Sequence, residues 1–373
     1  MRAAHYVLAG GGTGGHLFPG LAVADALRRA EPDASITFFT TTRALDRDLL
    51  ARTTYAQVPQ TVRPVTLKPW RWPAFWWHWR RSVAAACTFL GRERARAVLG
   101  LGGYAAGPPV VATRALGIRT AILNPDAIPG RANRYLARHA DLVVLQWDVS
   151  RAYFSNRTNC HTLGCPIRAE FAAADRGAGR RRFELDPDRP LLLVTGASQG
   201  ARTINQTMQR VWPEFLARHP EWQLLHLTGS AEEDETRAAY AAPRRSAGPA
   251  PVVRVLPFTH EMPLALAAAD VVVSRAGAST LAEITALGRP AILLPYPFHR
   301  DRHQHANAQV LVDAGAALLV EDARGPEANR GPLLAALEQL AEEPTRWKMA
   351  EAARRLGRLT AADEIAAWLR GSP

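Results

Sequence analysis

The chain lacks the features of a disulfide-stabilised or membrane-spanning protein. It has only three cysteines, Cys87, Cys160 and Cys165, which form no CxxC pair, and their odd number argues against a disulfide framework. No run of about 18 uncharged apolar residues occurs, so we expect no transmembrane helix. The first residues have no apolar core of the secretory type, and we therefore expect a reducing, cytoplasmic compartment.

Acidic residues are outnumbered by basic ones. The chain carries 46 Lys and Arg against 34 Asp and Glu, a net charge of +12, and only Lys68 and Lys348 are lysines. Such a charge favours an acidic partner: a nucleic acid, an anionic membrane or a phosphorylated substrate. A GC-rich genome would by itself produce the arginine bias, so the positions of the charges carry more information than their number.

Short apolar runs alternate with helical patterns along the chain, and this series starts twice. A strand over His5–Gly10 leads into a glycine loop and a helix over 18–30. After a polar, arginine-rich stretch at 175–189, the same order begins again with a strand over Leu191–Thr195. This alternation predicts the α/β class, with parallel sheets covered by helices on both faces. The restart predicts two Rossmann-like, doubly wound domains in tandem.

The domain limits follow from this restart. We predict a first domain over 1–166, a second over 167–345 and a final helix over 346–373 that packs back toward the first domain. Ligands of open parallel sheets bind beyond the carboxyl ends of the strands, so we expect the site in a cleft that both domains face. Further strands are predicted over Ser35–Thr41, Ala97–Leu101, Thr120–Leu123, Leu142–Leu145, Gln223–Thr228, Val252–Leu256, Asp270–Ser274 and Ala291–Pro295.

The first glycine loop, Gly10–Gly15, contains a GxGxxG pattern between a strand and a helix. Such a loop lets the backbone approach a phosphate at the helix N-terminus, as in NAD-binding domains. An NAD site also requires an acidic residue at the end of the second strand, to hold the ribose. That strand ends in threonines, and Asp46 and Asp48 fall beyond it. NAD binding and a plain turn without a ligand are both less favoured than a diphosphate-binding loop.

A second glycine loop, Gly196–Gly200, also follows a strand and opens a helix. Its GxSxG pattern is that of the nucleophile of α/β-hydrolases, and Ser198, Asp270 and a histidine would supply a triad in the usual order. The histidines available for it are His299, His303 and His305. A hydrolase explains neither the first glycine loop nor the restart of the pattern, so a second diphosphate-binding loop that includes Ser198 is favoured.

Two polar segments follow later strands. The small residues of Arg275–Glu283 open a helix and suit a nucleotide, and Glu283 would accept from both hydroxyls of a ribose, although an ordinary solvent-facing glutamate has the same appearance. The segment 299–307 contains three histidines, but their spacing is not that of a zinc-binding helix and no cysteine joins them. We expect this segment to contact a sugar or phosphate and to bind no metal.

Aromatic and basic residues are concentrated at 67–81, which holds five of the ten tryptophans. Tryptophan beside arginine is typical of segments that bind the headgroup region of an anionic membrane. A buried aromatic core and a stacking platform for single-stranded nucleic acid are the alternatives, and nothing else in the chain resembles a nucleic-acid-binding fold. The residues expected to face the membrane are Trp70, Trp72, Trp76, Trp77, Trp79, Arg80 and Arg81.

Together these segments resemble the MurG family of glycosyltransferases. The resemblance spans residues 7–316 in order and rests on Gly11–His16, Gly102-Gly103-Tyr104, Pro129-Gly130 with Ala132-Asn133, Gly196–Ala201, and Arg275–Glu283 with Gln304 and Asn307. It implies a GT-B fold, UDP-GlcNAc as donor, inversion at the anomeric carbon, and no metal or other cofactor. It further implies conversion of lipid I, a polyprenyl-diphosphate acceptor, to lipid II in peptidoglycan synthesis, at the cytoplasmic face of the inner membrane.

The resemblance also implies roles for individual residues. The domain over 1–166 would bind the acceptor and the membrane, and the domain over 167–345 would bind the UDP-sugar. His16 is a candidate general base. Substrate-contacting residues would be Thr13, Gly14, Gly15, Tyr104 and Asp126 in the first domain, and Arg168, Ser198, Thr259, Ala278, Ser279, Thr280, Leu281, Ala282, Glu283 and Gln304 in the second. Among these, Ser198 would bind diphosphate, Thr259 uracil, Glu283 the ribose and Gln304 the GlcNAc hydroxyls.

The chain departs from the family pattern at two places. Where the family usually carries His-Glu-Gln-Asn, this chain has Leu123-Asn124-Pro125-Asp126, so an amide replaces the acidic residue and an acid replaces the amide. The usual Gln-Gln pair is His303-Gln304. Either His16 or Asp126 therefore acts as the base here, or the acceptor differs. A GT-B enzyme with another lipid or small-molecule acceptor remains the first alternative, and a GxSxG hydrolase a distant one.

Overall fold

The computed structural model describes residues 3–62, 70, 72–196, 200–241, 252–298 and 301–371. They divide into two compact units. Unit 1 contains the described residues up to Arg168 together with those from Arg358 onward, and unit 2 runs from Ala169 to Gly357. The domain boundary predicted between 166 and 167 lies close to this division.

Unit 1 is built on a parallel sheet of seven strands in the order β3-β2-β1-β4-β5-β6-β7. The strands are β1 (His5–Gly10), β2 (Ser35–Thr40), β3 (Ala56–Pro59), β4 (Ala97–Gly102), β5 (Arg119–Asn124), β6 (Leu142–Leu145) and β7 (Cys160–Thr162). The helices are α1 (Gly14–Ala30), α2 (Ala44–Leu50), α3 (Trp72–Glu93), α4 (Gly107–Leu116) and α5 (Arg131–Leu136). The strand order reverses direction between β1 and β4, which is the usual ligand position in such sheets.

Unit 2 repeats this plan with a parallel sheet of six strands in the order β10-β9-β8-β11-β12-β13. The strands are β8 (Leu191–Thr195), β9 (Gln223–Leu227), β10 (Val253–Leu256), β11 (Val271–Ser274), β12 (Ala291–Leu293) and β13 (Ala317–Leu319). The helices are α6 (Arg176–Arg182), α7 (Arg202–Arg218), α8 (Glu233–Ala241), α9 (Met262–Ala268), α10 (Ala278–Ala286), α11 (His303–Asp313), α12 (Pro326–Ala341) and α13 (Glu343–Leu356). Here the strand order reverses between β8 and β11.

Alternation along β1 explains why helices cover both faces of its sheet. Side chains of a strand point to opposite faces in turn. Tyr6 and Leu8 belong to one core with α1, whereas Val7 and Ala9 belong to a second core with α3 and α4. Because both faces are buried, the strand reads as a continuous apolar run, which made it recognisable from sequence.

The last segment of the chain is two helices. The predicted helix over 346–373 is interrupted at Gly357, after α13, and continues as α14 (Ala361–Arg370). Only the part from Arg358 onward belongs to unit 1, where α14 packs on α1 and adds Ile365 and Leu369 to the core. Arg370 also donates to Glu31 at 3.1 Å, which fixes the end of α14 against unit 1.

Unit 2 contains a fully buried histidine that makes its stability depend on pH. His226 on β9 lies 3.0 Å from Asn205 Oδ1 and 2.9 Å from the Tyr240 hydroxyl, and burial lowers the pKa of its ring from 6.5 to about 3. The unfolded chain therefore binds the proton more readily than the folded chain. Stability is complete above the unfolded pKa near 6.5 and is lost as the pH falls toward 3.

We expect the protein to lose about 1.5–2 kcal/mol of unfolding free energy between pH 6.5 and pH 5 through this histidine. Urea unfolding at a series of pH values measures the loss, and His226→Gln should reduce the slope. His161→Gln, at an exposed position of unit 1, is the control. An unchanged slope in the His226 variant would contradict the assignment.

Candidate functional site

In unit 1 the loops after β1 and β4 meet where the strand order reverses. The loop after β1 leads into α1, whose first turn contains Gly14, Gly15 and His16, with Thr13 immediately before it. The first N–H groups of a helix have no acceptor within the helix and attract an anion. Thr13 and Gly15 are exposed, so these donors open to solvent on the side of the carboxyl edge of the sheet.

His16 is half-buried and held by the loop that precedes it. Its Nδ1 lies 3.2 Å from the carbonyl oxygen of Gly11 and 3.1 Å from Thr13 Oγ1. A carbonyl can only accept, so the hydrogen-bond pattern assigns the proton to Nδ1 and the lone pair to Nε2. Nε2 lies beside Gly102, where a Cβ would come within 3.2 Å of it. The ring is thereby oriented as a proton acceptor through Nε2.

Tyr104 follows the β4 loop and lines a cavity of about 530 Å³. Trp72, Trp76 and Trp79 of α3 form one wall of this cavity, and Tyr135 of α5 lies on another. The indole of Trp79 packs so closely on Gly107 that a Cβ there would lie 2.4 Å from the ring. The cavity is thus largely aromatic and begins at the same loop that contacts His16.

Asp126 lies in the loop after β5, which buried amides hold in place. The side chain of Asn124 donates to the Asp126 carbonyl at 2.9 Å, and Ser150 Oγ donates to the same oxygen at 3.0 Å. Asn133 in turn donates to Leu123 O and to Asn124 Oδ1. Asn124, at the position of the family's acid, is therefore a buried support of the Asp126 loop. Asp126 itself is half-buried.

Arg168 ends the first of the two segments that form unit 1 and is half-buried. It follows Cys165 and Ile167, which are buried.

In unit 2 the described ends of the second glycine loop, Gly196 and Gly200, lie between β8 and α7, and the strand order reverses at β8. Ser198 falls outside the described residues, so its predicted contact stays a prediction. Gly200 at the end of the loop has a φ of +72°, and a Cβ there would lie 2.0 Å from the carbonyl oxygen of Thr228. Only glycine fits this position, which brings the start of α7 close to β9.

The nucleotide segment begins α10. Ala278, Ser279 and Thr280 lie in its first turn and are partly exposed, whereas Leu281 and Ala282 are buried. The Leu281 N–H donates to the Gly277 carbonyl at 3.0 Å. The first turn of α10 thus lies at a helix N-terminus, the end of a helix that attracts an anion. Glu283 lies on the next turn and is half-buried.

Thr259 follows β10 and is largely buried, and its hydroxyl accepts from the Glu261 N–H at 3.0 Å. Its side chain is thus engaged in the turn. The neighbouring Phe258, which the sequence patterns did not single out, is 44% exposed. An exposed aromatic ring at the carboxyl edge of a parallel sheet offers a stacking surface for a base. Its position two residues after the end of a strand was the signal that could have identified it.

Gln304 lies in the first turn of α11. Its Oε1 accepts from the Tyr296 N–H at 2.9 Å, which directs the amide NH₂ away from that loop. His303 pairs with Asp301 at 2.7 Å and His305 with Glu321 at 2.7 Å, so these histidines point to different partners. His299 lies outside the described residues. Among the residues that the structure does describe, no cluster of three metal-ligating side chains occurs.

The hydrolase alternative is wrong because Asp270 is at the opposite edge of the sheet from the GxSxG loop. Asp270 directly precedes β11, whereas the loop follows β8, and these two strands are parallel. About 13 Å of strand lies between such positions. The Asp270 carboxylate accepts instead from buried Arg180, at 2.7 Å, and from the Leu191 N–H, at 2.7 Å. It is a structural ion-pair partner and cannot orient a catalytic histidine.

A buried ion pair joins the loops of unit 2. Arg275 donates to Asp322 Oδ2 at 2.7 Å, to Thr203 Oγ1 at 2.7 Å and to the Leu294 carbonyl at 2.9 Å. Although burial alone would raise the pKa of the Asp322 carboxyl, hydrogen bonds from Thr203, Asn329 and Arg275 hold it below its usual value. The charged pair fixes the segment that leads into α10.

Helix α3 exposes most of the predicted tryptophans. Trp70, Trp72, Trp76 and Trp77 are 49–73% exposed, and Trp79 is half-buried against the cavity. Arg80 and Arg81 are exposed, and the Arg81 guanidinium lies 5.4 Å from the ring of Trp77. These residues form a surface that we call the tryptophan face. Within the described parts of the chain, no helix is sufficiently long and apolar to cross a bilayer.

Comparison with known proteins gives consistent matches over the whole length. The model of the glycosyltransferase family 28 N-terminal domain matches residues 6–145, and that of the C-terminal domain matches residues 191–365. UDP-N-acetylglucosamine–N-acetylmuramyl-(pentapeptide) pyrophosphoryl-undecaprenol N-acetylglucosamine transferases are similar. That of Desulforudis audaxviator is 36% identical, with 96% of each chain covered, and that of Streptomyces avermitilis is 38% identical, also with 96% of each covered.

Solved structures agree in fold. The crystal structure of Acinetobacter baumannii MurG is similar with a TM-score of 0.75 and 25% identity, covering 98% of this chain and 99% of that one. The calicheamicin glycosyltransferase CalG4 matches with a TM-score of 0.64 and 16% identity, and both chains are covered completely.

Proposed function

The chain belongs to glycosyltransferase family 28 and, within it, to the MurG family, and we propose that it transfers GlcNAc from UDP-GlcNAc to the MurNAc 4-hydroxyl of undecaprenyl-pyrophosphoryl-MurNAc-pentapeptide. This reaction converts lipid I to lipid II in peptidoglycan synthesis. The observation that carries the proposal is the match of nearly the whole chain to transferases of that name. The fold is the GT-B fold, as the sequence resemblance implied.

The chemistry is a direct displacement that inverts the anomeric carbon. The acceptor hydroxyl attacks from the face opposite to UDP, and the new C–O bond forms as the bond to the diphosphate breaks. The electron pair of that bond leaves with UDP, and the hydroxyl proton passes to a base of the protein. The protein must therefore stabilise charge on the diphosphate and place one proton acceptor beside the attacking oxygen.

In this proposal unit 2 binds the donor, and Arg168 of unit 1 adds one contact to it. The first-turn N–H groups of α10, the loop that contains Ser198 and the guanidinium of Arg168 stabilise the diphosphate. The uracil ring of the donor lies against Phe258 and the Thr259 backbone, and Glu283 accepts from the ribose hydroxyls. The amide NH₂ of Gln304 donates to the GlcNAc hydroxyls, because its oxygen is already held by Tyr296.

Unit 1 binds the acceptor. The lipid diphosphate lies near Thr13, Gly14 and Gly15 at the start of α1, and Tyr104 lines the path from there into the aromatic cavity. His16 Nε2 is the proton acceptor that we favour, since Nδ1 already donates to Gly11 O. Asp126 is the second candidate, because it carries the one carboxylate of the altered Leu123–Asp126 segment.

The test is release of UDP from UDP-GlcNAc by the purified protein, with and without a lipid I analogue. Release that depends on the lipid is the expected result. Binding of UDP-GlcNAc without lipid-dependent release would retain the donor and exclude this acceptor, in favour of another lipid or small molecule. Failure to bind UDP-GlcNAc would overturn the proposal.

The family relationship indicates a peripheral membrane enzyme, and we propose the cytoplasmic face of the inner membrane as its location. The tryptophan face supports this, because exposed indoles beside arginines suit the headgroup region of an anionic bilayer. The aromatic cavity opens beside the same helix, so a lipid acceptor would reach His16 from the membrane side of α3.

Replacing Trp76 and Trp77 together with serine should reduce binding to vesicles of phosphatidylglycerol and phosphatidylethanolamine severalfold, because two largely exposed indoles are lost from the face. Co-sedimentation at two salt concentrations measures the effect. Trp347→Ser, which removes a tryptophan that is 62% exposed in unit 2, is the matched control. Equal binding by the double variant and the wild type would contradict a membrane role for the tryptophan face.

A further inference from the structure

A buried carboxylate lies beneath the first glycine loop. Asp46 on α2 has no exposed surface. Its oxygens accept from the Gly12 N–H at 2.8 and 2.9 Å, from the Thr41 N–H at 3.0 Å and from the Thr41 hydroxyl at 2.5 Å. The carboxylate therefore ties the loop after β1 to the end of β2.

The loop is packed closely against this carboxylate. A Cβ on Gly11 would lie 2.4 Å from Asp46 Oδ2, so the backbone could not approach as it does with any other residue there. The next peptide, between Gly12 and Thr13, is held as well, because Arg43 donates to the Gly12 carbonyl at 2.9 Å. Both backbone polar groups of Gly12 are thus fixed, one by Asp46 of α2 and the other by Arg43, the residue before α2.

The same short loop orients His16. Gly11 supplies the carbonyl and Thr13 the hydroxyl that contact Nδ1, and Gly12 is the residue between them. A change in the backbone conformation at Gly12 would therefore move both the Gly11 carbonyl and the Thr13 hydroxyl away from His16 Nδ1. In a dinucleotide-binding domain the acid near the end of the second strand faces a ribose. Here that acid is turned under the glycine loop, where protein N–H and O–H groups occupy it.

We propose that Asp46 is a positioning residue for glycosyl transfer: by fixing the Gly12 peptide it fixes the Gly11 carbonyl and the Thr13 hydroxyl that orient His16. The inference rests on the proposed function. Asp46 itself contacts no substrate in this proposal. Its effect on the reaction comes from the orientation that it gives the imidazole of His16.

The first experiment is Asp46→Asn. The asparagine side chain has an NH₂ group in place of one carboxylate oxygen, and this group would face the N–H and O–H donors from which Asp46 accepts. Two donors cannot bond to each other, so the glycine loop shifts. We expect kcat for lipid-dependent UDP release to fall roughly 10- to 100-fold, since a misplacement of about 1 Å has effects of this size. KM for UDP-GlcNAc should stay the same, because the donor binds to unit 2. Asp48→Asn, at an exposed carboxylate of the same helix, is the control and should match the wild type.

The second experiment separates positioning from a general loss of structure. In a His16→Ala background, Asp46→Asn should cause no further fall in the residual kcat, because its effect requires the imidazole. If the His16→Ala and Asp46→Asn substitutions instead lower kcat by factors that multiply in the double variant, the proposal is wrong. Thr41→Val removes one of the three donors to Asp46 without changing the shape of the side chain, and we expect a severalfold fall in kcat even if Asp46→Asn does not fold. A wild type without lipid-dependent release would refute the proposed function, whereas an active wild type with an equally active Asp46→Asn and Thr41→Val would refute this inference alone.

Discussion

Replacing His16 with alanine is expected to lower kcat for GlcNAc transfer about 10²- to 10⁴-fold, the usual range for removal of a general base. The reason is geometric. Gly11 O accepts a hydrogen bond from the Nδ1–H, and Nε2, which carries the lone pair, lies beside Gly102, a residue without a side chain. Binding of UDP-GlcNAc should be unchanged, because no donor contact is assigned to His16. Steady-state kinetics with a lipid I analogue, together with titration of the donor, measure the two quantities separately.

The matched control is His161→Gln, which changes an exposed histidine of unit 1 and should leave kcat unaltered. Asp126→Asn tests the other candidate base. Full turnover by that variant would exclude Asp126 as the base and leave His16. A loss in Asp126→Asn as large as that expected for His16, with His16→Ala nearly active, would reverse the assignment and place the base on the loop that Asn124 supports.

The strands at the centre of each sheet could be predicted from sequence, whereas of the four outer strands only β10 was predicted. Central strands such as β1 and β8 are buried on both faces, so they appear as continuous apolar runs between glycine loops. The three strands that were missed, β3, β7 and β13, are outer strands of their sheets and have only three or four residues. An outer strand pairs on one side only, so its side chains need not be apolar.

The site residues could be predicted where a local pattern marks them, but not where a distant contact determines their role. The glycine loops and the start of α10 were recognised because a strand–loop–helix order is readable within ten residues. The contact of Asp46 with Gly12 joins residues 34 positions apart, so nothing near Asp46 in the sequence indicates it. The same applies to Asp270, which sequence order made eligible for a triad but which pairs with Arg180, 90 positions away.

Asn124 shows how a departure from the family pattern is accommodated. At this position an acid would have to be buried, since Asn124 is 1% exposed. The amide instead donates to the Asp126 carbonyl and accepts from Asn133, so no charge is buried and both of its polar groups are used. The acid of the segment now lies at the half-buried position 126. The exchange preserves one amide and one acid at the end of β5 and in the loop that follows it, which is compatible with retained transfer.

The second large effect is expected at Glu283. Charge-assisted hydrogen bonds contribute about 1.5–3 kcal/mol each, so Glu283→Ala should raise KM for UDP-GlcNAc roughly 10- to 100-fold if the carboxylate accepts from the ribose hydroxyls. The helix position favours this, because Glu283 lies one turn beyond the N–H groups of Ala278–Thr280 that would bind the diphosphate. Glu235→Gln, at an exposed glutamate of α8, is the control for loss of a carboxylate from unit 2.

A donor analogue without the two ribose hydroxyls makes the test specific to this contact. The wild type and Glu283→Ala should bind the analogue with equal affinity, because the groups that the carboxylate accepts from are absent. If Glu283 instead acts only by stabilising α10, Glu283→Ala should bind both ligands more weakly than the wild type does. The loss of affinity should then be the same for the analogue as for UDP-GlcNAc. The ratio of the two effects therefore distinguishes a ribose ligand from an ordinary helix glutamate, the alternative that the sequence left open.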